Sequence, residues 1–149
     1  MEIEGLTNML GALKQSKQNK NRVSQMTGDD FSKINSNSPT SFILVSSAPN
    51  ALNDFETPFG EFNGLKRQGE GIVRKDFPSL THTILQMGCF EDNFVEESLD
   101  INYSEGDDSD QEEKLKRKIN RRDAARAACE ALVNEDLQGK TVEVWTALK

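Results

Sequence analysis

The passage SEGDDSDQEEKLKRKINRR, residues 104–122, places six acidic side chains ahead of six basic ones. Charge separated this sharply favours a helix with acids in its first turn, where the helix dipole welcomes them, and bases behind. Ser109-Asp110-Gln111-Glu112 has the S-x-x-E form of a capping box. In that motif the serine oxygen accepts from the amide three residues on, and the glutamate reaches back. Glu112 with Lys116 and Glu113 with Arg117 are i,i+4 pairs in the favourable orientation, each worth about 0.2–0.5 kcal/mol. RRDAARAACEAL adds strong helix formers, and Gly139 supplies a stop. The sequence therefore predicts one long helix from about Asp110 to Gln138. Lys114, Arg117, Lys118 and Arg121 fall within one arc of it, with Arg122 and Arg126 to one side. Farther along, Ala124, Ala128, Ala131 and Leu132 give the helix an apolar seat.

The rest of the chain limits how large a body that helix can join. Of 149 residues, 35% are hydrophobic and 29% charged, and the mean hydropathy is −0.66. This composition predicts a modest core with polar segments around it. The net charge of −7 disfavours non-specific adhesion of the whole protein to nucleic acid or anionic membrane. No run approaches the ~18 apolar residues of a membrane span, and the opening MEIEGLTNMLGAL lacks the pattern of a secretory signal. Cys89 and Cys129 stand in no metal-binding spacing, and His82 is the only histidine. No cofactor and no metal are expected, and the expected location is intracellular, cytoplasmic or nuclear.

Ile3, Leu6, Leu10 and Leu13 recur at helical spacing, so the N-terminus reads as an amphipathic helix that needs a partner surface. That surface is the protein's own core, another copy, or a groove on a foreign protein. Residues 15–41 are rich in Asn, Ser, Gln and Lys and read as a flexible linker. Strands are predicted at Phe42–Val45, Ile72–Arg74 and Thr141–Ala147, and a helix at Ser79–Met87. Phe55, Phe59 and Phe62 sit among acids in a stretch broken by Pro58 and Gly60. They read either as a docking motif or as a loop pinned by its aromatics. The expected fold is a small α+β domain with a few short strands, a long C-terminal helix and a flexible polar N-terminal arm. Its expected divisions are residues 1–40 (arm), 41–103 (core) and 104–149 (acidic linker, charged helix and terminal strand).

Acidic segments, candidate phosphosites at Ser104 and Ser109, a linker and a terminal docking helix together resemble the organisation of the phosphoprotein cofactors of viral polymerases. The resemblance implies an accessory role. The expected function is a non-enzymatic regulatory protein that docks on a protein partner. Ile3, Leu6, Leu10, Leu13, Phe55, Phe59 and Phe62 would be its apolar anchors. Lys114, Arg117, Lys118, Arg121 and Arg122 would contact an acidic partner or, in the alternative, RNA or DNA. KLKRK also resembles a nuclear-import signal. A third class, a hydrolase or transferase, would have to act through His82.

Overall fold

The computed structural model describes residues 2–27, 42–49, 51, 59–91, 100–106 and 111–146. In chain order these form α1 (Glu2–Thr27), β1 (Phe42–Ser47), α2 (Phe59–Asp76), β2 (His82–Met87) and β3 (Cys89–Phe90). They continue as β4 (Ile101–Ser104), α3 (Gln111–Leu115), β5 (Lys118–Ile119), α4 (Arg121–Val133) and β6 (Thr141–Thr146). The architecture is mixed α/β. One sheet takes the order β1-β2-β6-β5-β3, with β4 also paired to β6. β1, β2 and β6 run parallel, whereas β4 and β5 are antiparallel to β6.

β2 is central among the parallel strands, and five of its six residues are buried. A strand flanked by strands and covered on both faces needs apolar side chains on both, which accounts for the run Ile84-Leu85 followed by Met87. On one face Phe42, Leu44 and Ile84 pack with Leu10 of α1, Val73 of α2, Phe77 and Leu80. On the other face Leu85, Met87, Val142 and Val144 pack with Ile119 and with Ala124, Ala127 and Ala131 of α4. Three alanines let α4 lie close to the sheet. Two helices therefore cover one face and one covers the other, and β1 enters β2 through α2 as a βαβ unit.

Several expected elements take a different form. The strand predicted at Ile72–Arg74 lies inside α2. Ile72 and Val73 face the core one turn beyond Gly69, and Arg67–Glu70 and Glu70–Arg74 are i,i+3 and i,i+4 ion pairs. Three glycines between 64 and 71 hide that helical period in the sequence. Gly71 has open space where a Cβ would stand. Gly71→Ala is therefore expected to stabilise the protein by about 0.5–1 kcal/mol in denaturant unfolding. A loss of stability would show a packing constraint at that position.

The helix predicted at Ser79–Met87 is strand β2. A short apolar run suits either element, and pairing with β1 and β6 decides it. The predicted linker begins as helix, since α1 continues through Thr27; residues 28–41 lie outside the described residues.

The long C-terminal helix is broken. α3 ends at Leu115, the chain extends through β5, and α4 starts at Arg121. Two inward side chains account for the break. Ile119 is buried in the α4-side core, and Arg117 turns onto Glu143 of β6. Gly88 permits the close approach this requires: a Cβ there would stand 2.7 Å from the Arg117 carbonyl oxygen. Asn120 then restarts the helix. Its Oδ1 accepts from the Asp123 amide at 2.7 Å, and its Nδ2 donates to Asp123 Oδ2 at 2.8 Å. Asn120 is thus a side-chain N-cap for α4, held in place by the Asp123 carboxylate. Ser109 lies outside the described residues, and Ser104 ends β4, half-buried.

Candidate functional site

Two polar side chains interrupt the apolar strands toward their carboxyl ends. In register, Ser46 of β1 lies beside Gln86 of β2, and Gln86 beside Glu143 of β6. By strand alternation this row faces α2, because Val142 and Val144 belong to the core under α4.

Glu70 descends from α2 onto the row, with its side chain only 1% exposed. Ser46 Oγ donates to its Oε1 at 2.6 Å, and Gln86 Nε2 donates to its Oε2 at 3.0 Å. Arg67 Nη1 lies 2.9 Å from Oε1 and Arg74 Nη2 3.7 Å from Oε2. Arg67 also donates to the Ser47 carbonyl oxygen, and Arg74 to Thr141 Oγ1. A carboxylate removed from water is tolerated only when donors replace the lost hydration. Here Ser46, Gln86 and Arg67 do so, Arg74 adds a positive charge at 3.7 Å, and together these contacts tie α2 to β1, β2 and β6.

Beside this hub is a cavity of about 250 Å³ between α1, α2 and β1. Ile3, Leu6, Leu44 and Leu65 form its apolar walls, and Ser46 and Lys66 are its polar side chains. Gly5 and Gly69 complete the lining, and at Gly69 a Cβ would stand 3.4 Å from Leu6 Cδ2. At Gly69 the cavity therefore borders a close approach of α2 to Leu6 of α1. In sheets with parallel strands, ligands characteristically bind near the carboxyl ends of the strands. Here the cavity lies against the face of β1, with Ser46, the fifth of that strand's six residues, in the lining.

The structure disperses the basic residues expected on one helix face. Lys114 is in α3. Arg117, 6% exposed, has its guanidinium 2.5 Å from Glu143 and 3.9 Å from the Trp145 ring centroid. Lys118 pairs with Glu91 at 3.0 Å, and Arg121 lies 5.6 Å from the Phe90 ring centroid. Arg122 is exposed in the first turn of α4. Charges that the 3.6-residue period aligns are thus separated by β5.

Of the expected apolar anchors, Leu10 is fully buried in the protein's own core, with Leu6 and Leu13 packed against the same cluster. Ile3 lines the cavity. Phe55 lies outside the described residues. Phe59 and Phe62 belong to the backbone of α2, and their side chains lie outside what is described. His82 is buried at the amino end of β2, paired with Phe42, and its Nδ1 donates to the Leu80 carbonyl oxygen at 2.9 Å. Tyr103 donates to Glu130 on the α4 side at 2.8 Å. Burial first, and that carboxylate second, push its phenol above the usual value. Among the described residues, no helix is long and apolar enough to cross a membrane.

Sequence reasoning passed over Ser46, Lys66, Glu70 and Gln86. The available signal was polar residues inside apolar strand patterns, together with a glutamate three residues after one arginine and four before another.

No protein-family model matches the chain, and no curated protein matches it. Among solved structures, one described as "Putative NAD-dependent epimerase/dehydratase from Bacillus halodurans" is similar, with a TM-score of 0.56 and 22% sequence identity. The match covers 72% of this chain and 47% of that one, so the chain spans about half the length of that structure. The likeness is one of fold, and that fold is Rossmann-like.

The residues present do not fit the dinucleotide named in that description. Such folds hold the pyrophosphate where a strand runs directly into a helix through G-x-G-x-x-G. That pattern is absent from the sequence, and residues 48–58, between β1 and α2, contain no glycine.

Proposed function

We infer that this chain is a small-molecule-binding α/β module whose ligand sits in the cavity between α1, α2 and β1. The observation that carries the reading is the cavity itself. Four aliphatic residues and two polar ones line it, and its lining includes Ser46 toward the carboxyl end of a parallel strand. Its volume lies just below the range of drug-sized sites, roughly 300–1,000 Å³. The matching ligand is therefore small and mostly apolar, with one polar end.

The reading is of binding, without catalysis by the chain's own groups. His82, through which a nucleophilic scheme would pass, is buried at the other end of β2 and bonded to a backbone carbonyl. Likeness to an epimerase/dehydratase fold supports a ligand site at this end of the sheet. It supports no step through a nicotinamide, because the pyrophosphate turn is missing. The broken C-terminal rod leaves the cavity, and not a continuous basic stripe, as the feature best suited to recognition.

Filling the cavity tests this. Gly69→Leu adds a branched side chain at the Leu6 contact and is expected to weaken binding of a small probe, 4-ethylphenol, by at least about tenfold. Far-UV circular dichroism should stay unchanged. Undiminished probe binding by a folded Gly69→Leu protein would remove the cavity from the account.

A further inference from the structure

We propose that the cavity selects a hydroxyl-bearing ligand, a small alcohol or phenol, because Glu70 dictates how the Ser46 hydroxyl can act; this rests on the reading of the cavity as a ligand site. Ser46 both lines the cavity and donates to Glu70 Oε1 at 2.6 Å. The contacts on that carboxylate from Ser46, Gln86, Arg67 and Arg74 are all donors, so it acts as an acceptor toward each of them. A hydroxyl owns a single proton, and here it is committed to Glu70. Toward the cavity Ser46 therefore presents lone pairs only. Lys66, in the lining of the same cavity, carries three N–H donors and no acceptor, more donors than a single partner within the protein satisfies.

A ligand matched to both side chains needs a donor for Ser46 next to an acceptor for Lys66. A hydroxyl group holds both on one atom. An ether or a ketone supplies only the acceptor and sets its lone pairs against those of Ser46. A carboxylate pairs with the Lys66 cation, yet it too sets lone pairs against those of Ser46. Leu6, Leu44 and Leu65 then suit a short alkyl or aryl body behind the hydroxyl. Glu70 is thus a positioning residue, and Ser46 determines specificity.

Three probes that share one ethylphenyl body separate the possibilities: 4-ethylphenol, 4-ethylanisole and ethylbenzene, titrated into the full chain and into Ser46→Ala and followed by two-dimensional NMR. The wild-type chain is expected to bind the phenol about tenfold more tightly than the anisole, the loss that follows when a buried acceptor goes unpaired. In Ser46→Ala the phenol should weaken until the two lie within about twofold of each other. Equal wild-type affinities, with resonance shifts at Leu44 and Ser46, would overturn the selectivity and leave the cavity reading standing. A phenol preference that survives in Ser46→Ala would likewise overturn it, by assigning the preference to another group. Failure of all three probes to bind saturably would overturn the cavity reading and this inference together.

Discussion

Glu70→Ala is expected to destabilise the protein by about 3 kcal/mol, read as a lower denaturant midpoint with little change in slope. The carboxylate is fully buried, and three donors and a second guanidinium converge on it from three elements. Its removal leaves Ser46 and Gln86 short of an acceptor and sets two guanidinium groups side by side. Removing one partner from a buried charge cluster usually costs about 3–5 kcal/mol. Arg67 and Arg74 are 34% and 45% exposed, so each can recover water, which holds the expectation at the lower end. A change below about 1 kcal/mol would mean that Glu70 is not the junction between α2 and the sheet.

Arg117→Ala should cost a similar amount, about 3–4 kcal/mol, for a related reason. Its side chain is 5% exposed, and its partner Glu143 is 16% exposed on β6. Truncation strands that carboxylate and removes the guanidinium stacked on Trp145. Lys116→Ala, one residue earlier, is the control. Its pair with Glu112 is exposed on both sides, and its loss should change stability little. On a continuous, solvent-facing helix the two substitutions would behave alike. Equal and small effects in urea unfolding would therefore restore the unbroken rod, and a large difference would confirm the extended segment at residues 117–119.

That contrast shows which parts of the fold local pattern could reach. Phe42–Val45, a dense apolar run, and Thr141–Ala147, a strict alternation, both announce strands, and the sheet contains β1 over Phe42–Ser47 and β6 over Thr141–Thr146; Ala147 lies outside the described residues. The stripe Ile3–Leu13 announces a helix, and α1 begins there. Errors arose where tertiary pairing outweighs local preference. LTHTIL carries a helical period as readily as a strand pattern, and only its parallel neighbours settle the matter. LKRQGEGIVRK is rich in glycine yet helical, because one face packs on α1 and β1 while Glu70 bridges two arginines. In the charged passage the S-x-x-E pattern predicts one helix start, whereas α4 starts at the Asn120 N-cap, just before the alanines. A buried arginine was also not foreseen, since its carboxylate partner lies 26 residues away.

The site was less legible than the fold. Nothing in the sequence brings Ser46, Lys66, Glu70 and Gln86 together, because their proximity is created by the β1–α2–β2 crossover and its parallel register. One mark was visible: serine and glutamine within apolar strands need partners on a neighbouring element. The cavity itself has no sequence signature. Its lining draws on residues from α1, α2 and β1 that are far apart in the sequence.

Mapping where a small probe binds tests that cavity most directly. On titration of 4-ethylphenol into the isotopically labelled chain, the account predicts saturable resonance shifts centred on Leu6, Leu44, Ser46 and Gly69, with α4 unaffected. Saturable shifts centred on α4 or β4, or none among those four residues, would contradict it.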